Sequence, residues 1–273
     1  MAGDINTDAL RKRLLWRIQR RYVTTTSAVR IGPLAFEFTR IADPDRVLDE
    51  VAEEADRREK VTGRREKDEH LHLPYWAELW DSAMGMGQVL VKADKETRRQ
   101  GDKERNTGMV NRPASLSSCL PVSLSSASVL DLGCGMGLSG TVAAALGAKV
   151  MFADIEPPAL LFARLNSLPW RRRVRARRVN WKTDRLGEKF DVILGADIIY
   201  ERGQWEYLEP FWREHLKEGG VVMLGEPGRQ TGDLFIAWVK GRGWTLEIIE
   251  EKVATRERPI RVMVLTIEPV NTQ

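Results

Sequence analysis

The chain has 273 residues, 42% of them hydrophobic, which is enough to bury one substantial core. Its 43 basic and 39 acidic residues leave a net charge of +4, an excess too small to require a nucleic-acid partner. Two cysteines are too few for a disulfide framework or a zinc site, and the sequence offers no candidate membrane span or secretory signal. This composition predicts a reduced, cytoplasmic protein that does not contact a membrane.

Residues 1–70 are interpreted as an N-terminal extension. The spacing of the leucines in 8–22 predicts a helix whose other face is almost wholly Arg and Lys. Two short strands are expected within 23–39, on either side of a Gly-Pro pair, followed by a charged helix over 44–60. The stretch 63–69 reads as a polar loop.

A main domain is predicted over 71–268, interrupted by an insertion. A tryptophan-rich opening leads into a helix that is expected to end near Val91. Residues 92–127 then show a charge run and a Ser-rich stretch with little periodicity. Because structureless connections of this length are uncommon inside a compact domain, we interpret 92–127 as a flexible insertion without a functional role.

From Ser128 onward strands and helices alternate, which predicts an α/β, doubly wound, mostly parallel seven-strand sheet. The last two strands are joined without a helix, so they are expected to form an antiparallel hairpin at one edge. Strands are expected near 128–132, 149–153, 174–179, 190–195, 220–225, 244–253 and 260–268, and helices near 137–146, 157–167, 203–217 and 230–241.

A glycine-rich turn joins the first of these strands to the first helix. Residues 129–140 read VLDLGCGMGLSG, and glycine lets the backbone turn sharply and approach a ligand. The dinucleotide fingerprint needs glycine where this chain has Leu138, and the ending of a phosphate-binding P-loop is missing. Two acids accompany the turn: Asp131 lies two residues before it, and Asp154 ends the next apolar run.

This order of turn and acids resembles the class I, seven-strand S-adenosylmethionine methyltransferases, whose sheet is Rossmann-like. The resemblance implies S-adenosylmethionine as cofactor, with Asp154 placed to accept hydrogen bonds from the ribose hydroxyls. It also implies a negative charge at Asp131 near the positively charged sulfonium and amino groups. The turn residues expected to contact the cofactor are Gly133, Cys134, Gly135 and Gly137.

The segment 190–200, FDVILGADIIY, resembles the family-16 branch of these enzymes, many of which modify lysines in folded proteins. The segments 74–80 and 225–229 look more like bacterial members, including those resembling the electron-transfer flavoprotein lysine methyltransferases. Asp81 departs from that pattern, since bacterial relatives usually have proline there. Beyond the turn, the resemblance implies cofactor contacts at Trp80, Asp154, Trp181 and Ala196.

A lysine acceptor must lose its proton before it can attack a methyl group, because its ordinary pKa is about 10.4. Asp197 and Tyr200 follow the fourth strand of the sheet, one helical turn apart, and are predicted to be the catalytic residues that orient this amine. The family resemblance thus implies N-methylation of a lysine in a protein substrate, and the enzyme is expected to be a monomer.

Two alternatives remain open. The first is a small-molecule or RNA methyltransferase, since this fold does not determine the acceptor. The second is a non-catalytic cofactor-binding interaction module. The basic cluster 171–178 permits a nucleic-acid partner, although a solvated edge strand is the favoured interpretation. His70, His72 and His215 lack metal-ligand partners in the sequence and are expected at the surface, so no metal is predicted.

Overall fold

The computed structural model describes residues 2–62, 74–107, 120 and 123–267. The predicted loop 63–69, His70, His72 and most of the predicted Ser-rich stretch lie outside these residues. Within the described residues, no helix combines the length and the apolar composition that a bilayer span needs.

The N-terminal part contains the elements that the sequence predicts. Helix α1 (Ala2–Gln19) begins earlier than expected, and strands β1 (Thr24–Ile31) and β2 (Leu34–Ile41) form an antiparallel two-stranded sheet. Helix α2 (Pro44–Thr62) follows, starting with proline, whose missing N–H costs nothing in the first turn of a helix.

The next helix, α3 (Asp81–Thr107), is much longer than expected. The sequence predicted an end near Val91 and a flexible insertion from residue 92, and this is wrong for residues 92–107. The charged residues beyond Val91 continue the helix because Ala93 and Asp94 remain buried on the face that packs against the domain. A charge run marks a solvated helix face here rather than a loop.

The remaining elements form the central α/β unit, and their bounds lie close to the predicted ones. The strands are β3 (Ser128–Leu132), β4 (Lys149–Asp154), β5 (Val174–Arg178), β6 (Phe190–Ala196), β7 (Leu216–Glu226), β8 (Trp244–Glu251) and β9 (Ile260–Ile267). The helices are α4 (Leu138–Ala145), α5 (Pro157–Asn166), α6 (Trp205–His215) and α7 (Gln230–Lys240).

These strands form one seven-stranded sheet in the order β5-β4-β3-β6-β7-β9-β8. The pairs from β5 to β7 are parallel, whereas β9 is antiparallel to both β7 and β8. The predicted fold class and edge hairpin are confirmed. Strand order reverses between β3 and β6, and a ligand crevice is expected outside the carboxyl ends of the strands at such a switch point.

Helices cover both faces of the seven-stranded sheet. On one face, the two-stranded N-terminal sheet also packs into the hydrophobic core. Leu14 of α1 and Phe38 of β2 belong to the same buried cluster as Phe162 of α5. Asn166, at the end of α5, joins the two parts by polar contacts: its side chain exchanges hydrogen bonds with the backbone of Thr39 and donates to the carbonyl of Met136. Met136 lies in the glycine-rich turn, so Asn166 connects β2 of the N-terminal part to that turn by hydrogen bonds.

His215 is buried, and the expectation that it lies at the surface is wrong. Its Nδ1–H donates to the carbonyl of Phe211 at 2.7 Å, and its Nε2 accepts the N–H of Leu186 at 2.9 Å. Both ring nitrogens are therefore satisfied by the backbone, which explains how a polar ring can be buried.

The part of α3 that continues beyond Val91 can be tested at Asp94. Asp94 accepts hydrogen bonds from Leu124 N–H at 2.8 Å and Ser123 Oγ at 3.1 Å, and it pairs with Arg98 at 2.7 Å. Asp94→Ala leaves these donors unsatisfied, so we expect the free energy of unfolding to fall by about 1–3 kcal/mol in urea denaturation. Lys95→Ala, at an exposed position on the same helix, is the control and should change it by less than about 0.5 kcal/mol. Equal losses in the two variants would contradict the packed α3.

Candidate functional site

The glycine-rich turn lies between β3 and α4, at the carboxyl edge of the sheet. Gly133 and Gly137 adopt left-handed backbone conformations, with φ of 62° and 83°. A Cβ at Gly133 would come within 2.7 Å of Ile198 Cγ2, and one at Gly137 within 2.7 Å of Ala163 Cβ. Glycine is thus required both by the backbone conformation and by the space available.

Asp154 ends β4 and faces the turn. Its two carboxylate oxygens accept backbone N–H bonds, one from Gly135 and one from Glu156, both at 2.9 Å. Burial raises the pKa of Asp154 to about 6, although these two bonds oppose the shift. The carboxylate is held in one orientation and keeps further lone pairs for hydroxyl donors in the pocket.

Asp131 lies beneath the turn and is not among the residues that line the pocket, so its predicted proximity to the cofactor stays a prediction. It is 1% exposed, and its Oδ2 accepts the N–H of Gly140 in the first turn of α4 at 2.8 Å. Burial raises the pKa of Asp131 to about 8, with a smaller contribution in the same direction from Asp154. Its position favours a structural role at the strand–helix junction.

The pocket above the turn brings together the other residues predicted from the sequence. Trp80 donates its Nε1–H to the carbonyl of Tyr75 at 2.9 Å, and Trp181 donates to Gln204 Oε1 at 3.1 Å, so both rings are oriented by hydrogen bonds. The predicted residues that line the pocket are Trp80, Gly133, Cys134, Gly135, Gly137, Asp154, Trp181, Ala196, Asp197 and Tyr200.

Asp197 is engaged by an arginine. It follows β6 with φ of 58°, an uncommon conformation for a residue with a side chain, and is 7% exposed. Both of its oxygens accept hydrogen bonds from the guanidinium of Arg229, which also lies over the Trp80 ring at 5.7 Å from its centroid. Burial raises the pKa of Asp197, and Arg229 opposes the shift. The carboxylate is thus already paired.

Tyr200 lies at the mouth of the pocket with a second tyrosine. Its ring meets that of Tyr75 edge to face, with centroids 5.5 Å apart, and the two residues are 44% and 40% exposed. Partial burial raises the pKa of Tyr200 to about 12, so the phenol keeps its proton at neutral pH. The two tyrosines therefore give this part of the entrance an aromatic, uncharged surface.

Sequence reasoning missed Glu78 and Arg229 as members of the site. Glu78 lines the pocket and is exposed, and within the described residues its carboxylate has no hydrogen-bond or ion-pair partner. Partial burial raises the pKa of Glu78, and Asp45, Asp81 and Asp197 add to the shift. Their positions in the sequence could have indicated them. Glu78 lies among the aromatic residues of 74–80, and Arg229 follows β7 at the same edge of the sheet.

The structure offers little support for two other kinds of ligand. In the described ranges no group of three or more His, Cys, Asp or Glu side chains is arranged to hold a metal ion. In the basic cluster, Arg175 pairs with Glu188, and Arg173 and Arg178 donate to the carbonyls of Gly147 and Ile155. These contacts favour the interpretation of the cluster as part of the edge strand β5, whose charged side chains prevent another strand from pairing with it.

Comparisons with known proteins agree with this geometry. A family model described as lysine methyltransferase matches residues 75–240, more than half of the chain. Two proteins named protein N-lysine methyltransferase METTL21A are similar: that of Xenopus tropicalis is 44% identical over 29% of this chain and 39% of its own length, and that of Danio rerio 38% identical over 38% and 50%. The chain thus spans half or less of the length of these relatives.

Two further similarities are more distant. A ubiquinone biosynthesis O-methyltransferase of Chelativorans is 32% identical over 40% of this chain and 44% of that protein. The crystal structure of PH1948 from Pyrococcus horikoshii, proposed to be an RNA methyltransferase, superimposes with a TM-score of 0.51 over 72% of this chain and 89% of that one. Its sequence is 13% identical, so it supports the fold alone.

The buried acid beneath the turn predicts an unusual dependence of stability on pH. The pKa of Asp131 is about 8 in the folded protein and about 3.8 in the unfolded chain, so the folded state holds this proton more tightly. The free energy of unfolding should therefore fall as pH rises from about 4 to about 8. Asp131→Asn keeps an acceptor for Gly140 N–H but has no proton to lose. The free energy of unfolding of this variant, measured by urea denaturation across the same pH range, should therefore fall less than that of the wild type.

The exposed variant Asp8→Asn is the control and should reproduce the wild-type slope. Any dependence that remains in Asp131→Asn is expected mainly from Asp154, whose pKa is also raised. A slope in Asp131→Asn equal to that of the wild type would show that Asp131 does not hold a proton in this range.

Proposed function

Since the chain belongs to the lysine methyltransferase family, we propose that it transfers the methyl group of S-adenosylmethionine to a lysine side chain of a protein. The observation that carries this proposal is the pocket at the strand-order reversal. It combines a fixed carboxylate, Asp154, with an aromatic mouth that contains a second carboxylate, Glu78, which has no hydrogen-bond or ion-pair partner among the described residues. The METTL21A relatives, named protein N-lysine methyltransferases, support a protein as the acceptor.

S-adenosylmethionine is the methyl donor of this family, and the polar groups of the pocket fit it. Asp154 offers acceptors to ribose hydroxyls, and Trp181 offers a flat apolar face to the adenine. Ser139 Oγ is buried at the start of α4 and, among the described residues, has no hydrogen-bond partner, so it is available to a polar group of a ligand. When bound, the cofactor supplies an electrophilic methyl group on its sulfonium.

At the acceptor end, the residues must admit a lysine and favour its neutral form. The Tyr75–Tyr200 pair provides an aromatic entrance for the methylene groups of the side chain. Glu78 is the carboxylate that we propose to accept a hydrogen bond from the amine and to take up its proton, directly or through water. Its raised pKa makes it a better proton acceptor than an ordinary Glu.

Asp197 then acts differently from the expectation of direct contact with the amine. Because Arg229 occupies both of its oxygens, we propose that Asp197 is a positioning residue that holds Arg229 against Trp80. The left-handed backbone at Asp197 is maintained in part by its N–H, which donates to the carbonyl of Gly225 on β7 at 2.8 Å. Strained backbone held by such contacts is common at functional sites.

We also propose that the protein acts in the cytoplasm as a monomer. The thiol of Cys134 is free and lies in the glycine-rich turn, which suits a reducing compartment.

Labelling tests the function directly. The purified protein is incubated with S-adenosylmethionine carrying a tritiated methyl group and, separately, with the protein, RNA and small-molecule fractions of a cell extract. We expect label only in the protein fraction, on lysine nitrogen as identified by mass spectrometry, and none with Asp154→Ala, which should lose cofactor affinity in calorimetry. Label on RNA or a small molecule would replace the proposed acceptor, and cofactor binding without product would indicate a non-catalytic module.

Substitutions at the mouth separate chemistry from cofactor binding. Glu78→Gln removes the proton acceptor but keeps the shape, so turnover should fall about 10²-fold with unchanged cofactor affinity. Asp197→Ala should lower turnover less than Glu78→Gln, because Asp197 acts through Arg229, and Tyr200→Phe should be the mildest since its ring remains. Single-turnover methylation and calorimetry measure the two quantities side by side.

Glu218→Gln, at an exposed position near the amino end of β7 and so at the sheet edge opposite the pocket, is the matched control and should leave both quantities unchanged. In the wild type the rate should climb with pH as more of the lysine becomes neutral. A larger loss of turnover in Asp197→Ala than in Glu78→Gln would instead indicate that Asp197 orients the lysine amine.

A further inference from the structure

The groove between α1 and α5 carries positive charge that the proposed methyl transfer does not use. It encloses about 650 Å³ and lies along the last turns of α1 and the first turn of α5. Arg13 and Arg17 line it at successive turns of α1, and Arg20 and Arg21 follow directly after the last residue of the helix, Gln19. No acidic side chain is among the described residues that line it.

These charges form no close ion pair within the described part of the chain. Arg11 pairs with Glu37 at 3.5 Å, whereas Arg13, Arg17 and Arg21 have no such partner among the described residues. The negative charges near the groove are Glu50 and Glu156, which act on Tyr22 without contacting the arginines. Like charges placed this closely create a local positive potential that attracts an anionic partner. The overall charge of the chain is only +4, so the groove is more basic than the chain as a whole.

Apolar groups accompany the charges. Trp16 is 60% exposed, and the guanidinium of Arg20 lies 4.8 Å from the centroid of its ring. Pro157, Pro158 and Leu161 line the opposite side of the groove. Exposed Trp beside Arg is the composition of protein–protein interaction sites, so the groove suits a ligand with both acidic and apolar side chains.

The groove is one aromatic layer away from the cofactor pocket. Tyr22 lines the groove, and its ring meets that of Trp76 edge to face with centroids 5.4 Å apart. Trp76 in turn lines the pocket and lies against the glycine-rich turn. A protein that presents a side chain to the pocket therefore has the groove within reach of its neighbouring surface.

We propose that this groove binds an acidic segment of the protein whose lysine is methylated. The inference rests on the proposed function, because that function makes a protein the macromolecule already at the site. The mixture of arginines with an exposed tryptophan and an apolar wall favours such a segment over nucleic acid. Binding there would add affinity for the substrate without touching the reacting atoms.

The test measures binding separately from methylation. A fluorescein-labelled peptide rich in Glu, Asp and Leu is titrated with the full chain by fluorescence polarisation, beside the same peptide with Gln and Asn for the acids and an RNA single strand of equal charge. We expect the acidic peptide to bind more tightly than the other two and to weaken with salt. A variant with Arg13, Arg17, Arg20 and Arg21 all changed to Gln should bind it at least about tenfold more weakly.

The control variant loses the same number of exposed arginines elsewhere, so the two variants have equal net charge. Its substitutions to Gln are at Arg30, Arg40, Arg172 and Arg258. We expect it to keep wild-type affinity for the peptide, and Trp16→Ala to lose several-fold. Equal weakening in both four-residue variants, no binding of the acidic peptide, or tighter binding of the RNA through the same arginines would each overturn the proposal.

A second readout keeps this inference distinct from the proposed function. Calorimetry with S-adenosylmethionine should give the same affinity for the wild type and both four-residue variants, which also shows that they are folded. Absence of any methylated product would reject the proposed function while leaving the peptide result to stand as evidence of an acidic binding site. Methylation of a protein with unchanged KM in the Arg-to-Gln groove variant would reject the groove as its docking site.

Discussion

The close contact between helix α4 and the sheet is the constraint on which the site depends. A Cβ at Gly140 would lie 2.4 Å from the ring of Phe152 and 2.7 Å from the carboxylate of Asp131, so only glycine allows the helix to approach this closely. That approach places the Gly140 N–H on Asp131 and starts α4 directly beyond the turn. Only a short turn therefore connects the strand to the helix, and in it the Gly135 N–H donates a hydrogen bond to Asp154.

Two buried carboxyl groups lie close to this contact. Burial disfavours the charged forms of Asp131 and Asp154, and each offsets this with backbone N–H donors rather than with a cation. The two acids differ in access. Asp131 is enclosed by the strand–helix junction, whereas Asp154 opens onto the pocket, where hydroxyl donors of a ligand would further stabilise its charge. Binding of such a ligand is therefore linked to the ionisation of Asp154.

The parts of the site that are local in sequence could be predicted, and those that depend on distant residues could not. The strand–turn–helix around Gly133 and Gly137 is encoded by consecutive residues, so its bounds and its place at the sheet edge follow from periodicity and glycine spacing. The pairing of Asp197 with Arg229 joins residues 32 positions apart and leaves no periodic signal. The boundary of α3 was missed for a related reason, because the burial of Asp94 depends on the distant Leu124.

The N-terminal part of the chain contributes to the site through contacts that composition does not reveal. Asn166 links the backbone of Thr39 on β2 to that of Met136 in the turn, and Tyr22 packs edge to face on Trp76, a wall of the pocket. A ligand in either the groove or the pocket would thus rest against the same aromatic layer. Through Tyr22, the N-terminal part therefore packs directly against a residue that forms the cofactor pocket, and Thr39 connects to the pocket through Asn166.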